Sequence, residues 1–330
     1  MIICNLLNNA NCIYANLLNC LHIAKNSISD KIPSAMRKYI FNLVFVCFAL
    51  VPHFLCSYTS ADRIKTHLVE TEYQNGTQEI RVLLPDDYQD DKQYRVLYVL
   101  PVEKGFDKKY GFALGVLRKM NAHNIYDIII VQMGFEKEPW YADHATDLHT
   151  RQASYLKDFV VPFIEKHYST LAASKGRLLF GFSKSGFGAF SLILTYTDFF
   201  GYAASWDAPM FLDKFYFKMK PIFGTLAQLN KFRPDLLVPK KQQYFNKTTR
   251  LVLSGEKDWG KAIPTPTGDS HTTAMHKLLL KHGIKHIYND QLNIPHRWDK
   301  RWMTPTLHAL MQLTQDPPPP SNYRDKSITK

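Results

Sequence analysis

A serine, an acid and a histidine, the three residue types that together carry out acyl transfer, occur in that order along this chain. Ser183 lies in the run Gly-Phe-Ser-Lys-Ser at 181–185, between an apolar stretch and an apolar, helix-like run. This setting is typical of a nucleophile elbow, a sharp strand-to-helix turn that exposes a serine hydroxyl. Ser185 stands where such turns usually have their second glycine, and Gly186 supplies part of the flexibility. The pattern predicts Ser183 as a nucleophile, with a plain strand-to-helix turn as the alternative.

A serine hydroxyl needs a general base, and the base needs an acid that orients it. His296 falls between the last predicted strand and the closing helix, whereas the other histidines after Ser183 fall in predicted helices or strands. Asp258 follows a predicted strand, at the edge of the sheet where ligands bind. Glu256 and Asp269 are the alternative acids, and a purely turn-forming role is the alternative for Asp258. The sequence therefore predicts Ser183, Asp258 and His296 as nucleophile, acid and base.

The tetrahedral oxyanion of such a reaction needs backbone N–H donors. The N–H of Lys184 is the first donor predicted, because it follows the nucleophile. The second must come from the loop after the strand-like run "YRVLYVL". Pro101 has no N–H to give, which leaves Val102 or Glu103 as the donor.

Residues 134–152 follow another predicted strand and reach the same edge of the sheet. Trp140, Tyr141, Asp143 and His144 are therefore predicted to line the substrate pocket, with a surface loop held by an aromatic anchor as the alternative. The acidic and histidine residues of this loop show no recognised metal-ligand spacing, so the sequence predicts neither a metal nor a cofactor.

Strand-like and helix-like stretches alternate along the chain, which predicts a mostly parallel, doubly wound α/β sheet. The pair Asn75-Gly76 between two β-rich runs predicts an antiparallel hairpin before this sheet. Residues 210–250 contain nine basic and two acidic residues and are predicted to form a helical insert that caps the pocket. The strands are predicted at 94–102, 127–133, 176–180, 201–206, 249–255 and 285–290, and the helices at 154–168, 183–194, 271–282 and 304–313.

The N-terminal residues have the layout of a secretory signal. Residues 36–61 begin with a methionine and two cations, continue with an apolar run at 40–55 and end in small residues. We predict a signal peptide at 36–61 and a secreted or periplasmic protein, with a membrane anchor formed by 40–55 as the alternative. Residues 1–35 are predicted to come from an over-long reading frame and to be missing from the mature protein.

The composition fits one large domain, predicted at 62–315, followed by a disordered proline-rich tail at 316–330. Hydrophobic residues make up 45% of the 330, enough for a sizeable core. All five cysteines lie within the first 56 residues, so the predicted domain has no disulfide. The formal charge of +12 favours anionic partners. Without an arginine-rich run or a zinc-finger spacing, however, the sequence does not predict nucleic-acid binding.

Several runs of residues about 65–315 resemble an esterase family of the α/β-hydrolase superfamily that includes esterase D-like S-formylglutathione hydrolases and feruloyl esterases. The resemblance implies an α/β-hydrolase fold, a serine esterase without cofactor and the triad Ser183, Asp258 and His296, with Trp298 at the substrate site. Two departures are Pro101-Val102 in place of His-Gly, and Ser-Lys-Ser-Gly in place of a Ser-Met-Gly-Gly-like run. The runs that carry the resemblance are "YLKDFVVPFIEKHY", "LLFGFSKSGFGAF", "WDAP", "SGEKDWG" and "PHRWDKRW".

The function predicted from these observations is that of a secreted serine esterase, acting through an acyl-enzyme on a small-molecule or polysaccharide ester. Membrane contact is expected only through an uncleaved signal segment. Two other functions remain open at this point. One is an acyltransferase that uses the same acyl-enzyme, and the other is a non-catalytic relative that binds a carbohydrate or a protein.

Overall fold

The computed structural model describes residues 64–106, 109–255, 263–289 and 294–315. The predicted signal peptide, the residues before it and the proline-rich tail lie outside these described residues. Among the helices of the described part, none has the length and apolar character needed to cross a membrane.

In the described part of the chain, eight strands form one sheet in the order β1-β2-β4-β3-β5-β6-β7-β8. The first two strands pair antiparallel, β2 pairs antiparallel with β4, and all later pairs are parallel. The predicted doubly wound sheet with an antiparallel N-terminal hairpin is confirmed. The strands are β1 Ile64–Thr71, β2 Gln74–Leu83, β3 Arg95–Val99, β4 Ile128–Met133, β5 Arg177–Phe182, β6 Tyr202–Trp206, β7 Leu251–Ser254 and β8 His286–Asn289.

Helices connect the parallel strands, and one helical stretch changes its winding along its length. Between Gln152 and His167 the backbone passes from an α-helical turn through a π-helical segment, Tyr155–Val160, into a second α-helix. The α-helices are α1 Ala113–Lys119, α2 Ala122–Ile125, α3 Gln152–Ser154, α4 Val161–His167, α5 Ser183–Thr195, α6 Lys220–Phe223, α7 Leu226–Phe232, α8 Pro234–Lys241, α9 His271–Lys281 and α10 Lys300–Gln312.

The core consists of two apolar clusters on opposite faces of the sheet. Alternate residues of a strand point to opposite faces, and in β3 Tyr98 belongs to one cluster whereas Leu97 and Val99 belong to the other. Helix α5 packs its aromatic residues into the first cluster, and α10 packs Trp302 into the second. The near-continuous apolar run of β3 is thereby explained, because both faces of this strand are covered.

The turn of the N-terminal hairpin differs from the prediction in position. Thr71 pairs with Gln74, so the turn is formed by Glu72 and Tyr73 and not by Asn75-Gly76. The Asn-Gly pair lies within β2, at an irregularity of the β1–β2 register, where Gly76 has a φ of +70°. A bulge uses the positive φ of glycine just as a tight turn does, so the dipeptide alone does not distinguish the two.

The basic insert folds into α6, α7 and α8, which confirms its predicted helical character. Its apolar residues, among them Met219, Phe223 and Val238, are buried in the same cluster as α5. Thr225 caps α7 by accepting a hydrogen bond from the backbone N–H of Gln228. The insert is therefore packed onto the layer that contains α5, the helix that begins at Ser183.

Candidate active site

The chain turns sharply between β5 and α5, and Ser183 lies at the turn with a φ of +53°. On either side of Ser183, at positions 181 and 186, only glycine fits. A Cβ on Gly181 would lie 2.3 Å from the carbonyl oxygen of Ser185, and one on Gly186 would lie 2.5 Å from Ser205 Oγ. A strained turn of this kind is the conformation that a nucleophile elbow requires.

Ser185 holds the elbow together. Its buried hydroxyl accepts a hydrogen bond from the backbone N–H of Phe182 at 3.0 Å and donates one to the Phe182 carbonyl at 2.8 Å. The hydroxyl thereby satisfies the N–H and the carbonyl of Phe182 at the point where the strand ends. This contact explains why a serine stands where the elbow usually has a glycine, and it leaves Ser183 as the serine that meets a base.

A continuous chain of hydrogen bonds joins Ser183, His296 and Asp207. His296 Nε2 lies 2.9 Å from Ser183 Oγ, and His296 Nδ1 lies 2.6 Å from Asp207 Oδ2. The Asp207 side chain is only 4% exposed, and that of His296 is 26% exposed. With its Nδ1–H donated to the carboxylate, the imidazole has Nε2 available to accept the serine proton.

The carboxylate in contact with His296 is therefore Asp207, whereas the sequence predicted Asp258, which lies outside the described residues. Asp207 directly follows β6, whose carboxyl end lies beside that of β5 because the two strands are parallel neighbours. The sequence contains the same signal at both positions, an aspartate after a buried strand, and both aspartates lie between Ser183 and His296, so the order serine, acid, histidine does not separate them. The run "WDAP" marks the position that was missed.

Aromatic rings surround the imidazole. The ring of Phe182 lies edge-on to His296 with the centroids 5.0 Å apart, the ring of Tyr110 does so at 5.8 Å, and Trp206 stacks on it at 6.0 Å. Such packing restricts the rotamers of the histidine. The base is therefore held in place by rings from β5, β6 and the loop before α1.

Lys184, the predicted oxyanion donor, is the second residue of α5, where backbone N–H groups have no partner within the helix. Its ammonium forms an ion pair with Glu138 at 2.7 Å, with both side chains largely buried. Lys218 of the insert lies 3.8 Å from the same carboxylate. The cation beside Ser183 is thus paired with an acid of the 134–152 loop.

Val102 and Glu103 follow β3, and Val102 is buried. The preceding carbonyl, that of Pro101, accepts a hydrogen bond from the Tyr141 hydroxyl at 2.5 Å. Tyr141 and Trp140 are both fully buried, and Trp140 Nε1 donates to the carbonyl of Phe217.

The other predicted pocket residues make contacts within the protein. Asp143 accepts hydrogen bonds from the backbone N–H and the hydroxyl of Ser154. His144 Nδ1 accepts from the backbone N–H of Asp147 at 2.8 Å. Trp298 is buried with its ring 4.8 Å from that of Phe182. Substrate contact by these residues stays a prediction.

The loop of residues 134–152 also carries a strongly acidic carboxyl. A hydrogen bond from the Thr150 hydroxyl, aided by Lys137, lowers the pKa of Asp147 to about 2.

Across the described residues, no group of three or more histidine, cysteine, aspartate or glutamate side chains is arranged to hold a metal ion.

Comparisons with known proteins agree on the fold and the family. A ferulic acid esterase superposes with a TM-score of 0.60 at 16% identity, over 76% of this chain and 97% of its own. An S-formylglutathione hydrolase from Agrobacterium tumefaciens gives 0.61 at 11% identity, over 78% and 98%. The fluorophosphonate-binding serine hydrolase F of Staphylococcus aureus gives 0.59 at 16%, over 77% and 98%. At such low identities these similarities establish the fold.

The family model described as "Putative esterase" matches residues 71–253, more than half of the chain. The chain belongs to this esterase family. It is a carboxylic ester hydrolase with the α/β-hydrolase fold, as the sequence resemblance implied. The comparison with curated sequences gave no significant match. In this esterase the matched residues include Ser183 and Asp207 but end before His296.

Proposed function

We propose that this esterase is a serine hydrolase in which Ser183 is the nucleophile, His296 the general base and Asp207 the acid that orients the base. The observation that carries the proposal is the pair of short contacts at His296, 2.9 Å to Ser183 Oγ and 2.6 Å to Asp207 Oδ2. Asp207 takes the role that the sequence assigned to Asp258.

In the acylation step Ser183 Oγ attacks the carbonyl carbon of the ester while His296 Nε2 takes the hydroxyl proton. The buried Asp207 carboxylate stabilises the imidazolium that forms and keeps its Nδ1 proton in place. The carbonyl oxygen becomes an oxyanion and accepts hydrogen bonds from backbone N–H groups, those of Lys184 and of the loop after β3. The start of α5 adds the favourable end of a helix dipole.

The tetrahedral intermediate collapses when the ester oxygen leaves as the alcohol, and His296 donates to it the proton taken from the serine. Water then attacks the acyl-enzyme with His296 again as the base. When the bond between the acyl group and Ser183 Oγ breaks, the carboxylic acid leaves and His296 returns the proton taken from water to Ser183 Oγ. An alcohol in place of water would give acyl transfer by the same steps.

The proposed site of action is outside the cytoplasm, on a small-molecule or polysaccharide ester. Residues 36–61 support export through their charged start, apolar run and small-residue end. Mass measurement of the protein recovered from the medium or periplasm checks this, with a new N-terminus near Ala61 as the expected result. Protein that retains residues 40–55 and stays in the membrane would contradict it.

The catalytic proposal is tested with purified wild-type protein, Ser183→Ala and Ser185→Ala. Hydrolysis of p-nitrophenyl butyrate is measured, and a fluorophosphonate adduct is sought by intact mass. The wild type is expected to turn over substrate and to gain one adduct, and Ser183→Ala to lose both. Ser185→Ala leaves the Ser183 hydroxyl in place, so it is expected to keep the adduct, with slower turnover because the elbow loses the hydrogen bonds of the Ser185 hydroxyl.

Two outcomes would contradict the proposal. An adduct that persists in Ser183→Ala would place the nucleophile elsewhere. Folded wild-type protein that gives neither turnover nor adduct would favour a non-catalytic binding module. A product analysis with glycerol or methanol present separates hydrolysis from acyl transfer.

A further inference from the structure

We infer that Tyr141 is a positioning residue that aims the oxyanion-hole donor of the loop after β3. This inference rests on the proposed serine mechanism and adds a residue to it. Tyr141 was predicted from the sequence to line the pocket, but its side chain is fully buried and its hydroxyl donates a hydrogen bond to the Pro101 carbonyl at 2.5 Å.

A hydrogen bond to the Pro101 carbonyl controls the direction of the next N–H. The carbonyl of Pro101 and the N–H of Val102 belong to one planar peptide unit and point in opposite directions. When the oxygen is held, the direction of the Val102 N–H is fixed. Of the two predicted donors, Val102 therefore depends directly on the orientation of this one peptide, whereas the N–H of Glu103 belongs to the next peptide unit.

Tyr141 is itself held firmly at both of its ends. Its backbone N–H donates to Gln152 Oε1 at 3.0 Å, and its φ of +56° is unusual for a tyrosine. Its ring packs directly against Gly188 of α5, where an added Cβ would lie 2.1 Å from the ring. The ring also meets Phe135 edge-on at 5.4 Å.

Tyr141 contacts both elements that carry a predicted oxyanion donor. Helix α5 begins with Ser183 and Lys184, so it carries the nucleophile and one predicted oxyanion donor. The Tyr141 ring rests on this helix, and its hydroxyl reaches the loop that carries the other donor. One side chain thus sets the distance between the two halves of the oxyanion hole.

Donors of this kind act mainly on the transition state, because the negative charge develops only when the carbonyl becomes tetrahedral. Loss of the Tyr141 hydroxyl should therefore lower kcat and leave KM nearly unchanged. A residue with a merely structural role would lower the melting temperature without this selective effect on kcat.

The test compares Tyr141→Phe with Tyr155→Phe. Tyr155 is a matched control, because it is also fully buried, and its hydroxyl has no hydrogen-bond partner within the described residues. For p-nitrophenyl butyrate we expect Tyr141→Phe to lower kcat about tenfold, less than the loss of a whole oxyanion donor, with KM within about twofold of wild type. The affinity for a trifluoromethyl ketone, whose adduct places an oxyanion in the same hole, should fall by a similar factor. Tyr155→Phe should leave kcat and this affinity within about twofold of wild type.

A second variant, Gly188→Ala, pushes on the ring without removing the hydroxyl and is expected to lower kcat in the same selective way. A Tyr141→Phe protein whose kcat and inhibitor affinity match those of Tyr155→Phe would overturn the inference. So would equal changes in kcat and KM. Fluorophosphonate labelling is recorded for every variant, because an unlabelled and inactive wild type would contradict the serine mechanism itself, whereas labelled variants with unchanged kinetics contradict only the role of Tyr141.

Discussion

At the scale of single residues, unusual backbone conformations collect around the candidate site. Positive φ values at residues other than glycine are uncommon and are retained mainly where function needs them. Within the described residues there are seven of them, and five belong to the site or its surroundings. These five are Tyr141, Ser183, Asp207, Phe217 and Lys218. Two of these five, Ser183 and Asp207, belong to the chain of hydrogen bonds at His296.

The proposed acid, Asp207, gives the sharpest prediction at this scale. We expect Asp207→Asn to lower kcat for p-nitrophenyl butyrate about 10⁴-fold, because an amide favours the wrong imidazole tautomer. Asp258→Asn is the matched control and should stay within a few-fold of wild type. Steady-state kinetics of both variants decide the assignment, and the opposite ranking would restore Asp258 as the acid.

Residue types and their setting were enough to predict the contact between Ser183 and His296. Ser183 lies at the predicted elbow, and His296 is the histidine after it that falls outside the predicted helices and strands. The same reasoning was insufficient for the acid. Asp207 and Asp258 both follow buried parallel strands, and only the three-dimensional distance to His296 separates them. The two hydrogen bonds from the Ser185 hydroxyl to Phe182 were also not predicted, because hydrogen bonds to a strained turn leave no spacing pattern in the sequence.

At the scale of elements, β8 brings a buried histidine against α9. His286 Nδ1 donates to the Ile284 carbonyl, so its neutral ring accepts at Nε2 from His276 Nδ1, 2.8 Å away. The His276 ring stacks on Tyr288 with the centroids 3.8 Å apart. Burial, followed by the nearby His276, lowers the pKa of His286 from 6.5 to about 4.

This histidine predicts how stability depends on pH. The unfolded chain binds a proton at His286 below pH about 6.5, whereas the folded state does so only near pH 4. The folded state therefore binds fewer protons in this window, and the free energy of unfolding falls as the pH decreases from 6.5 to 4, on the order of 3 kcal/mol from this group. Urea unfolding of wild type and His286→Gln at several pH values checks it. A variant whose slope in this window equals that of wild type would contradict the assignment.

Most elements were predictable because apolar runs and helical periodicity alternate along the chain. The prediction failed where one local signal serves two structures. Asn75-Gly76 indicated the turn of the hairpin, yet the pair lies in a bulge, and the turn residues Glu72 and Tyr73 carry no typical turn signal. The start of α10 at Lys300, four residues before the predicted start, depends on the cap by Asp299.

At the scale of the whole molecule, Arg250 ties the end of the insert to the loop between α5 and β6. Its guanidinium, placed just before β7, donates hydrogen bonds to the carbonyls of Thr197 at 2.6 Å, Phe200 at 2.5 Å and Gly201 at 2.8 Å. The pKa of Arg250 is lowered by burial. The group joins the end of α5 to the segment that returns from the insert.

We expect Arg250→Met to lower the free energy of unfolding by about 3 kcal/mol, because several buried carbonyls lose a charged donor at once. Thermal and urea unfolding measure the change. Arg301→Met is the control, since Arg301 is exposed and pairs with Asp299 at the start of its own helix, and its melting temperature should remain close to that of wild type. A small effect of Arg250→Met would show that the insert is held by its apolar contacts alone.

The position of Asp207 has an evolutionary consequence. The proposed acid lies only three residues before the insert at 210–250, so changes in length at the start of the insert act close to the catalytic machinery. The segment between β7 and α9, by contrast, carries no proposed catalytic group. We therefore expect selection on substrate range to change the length of the segment between β7 and α9 more freely than that of the insert. In a laboratory library of insertions, variants with insertions in that segment should retain activity most often.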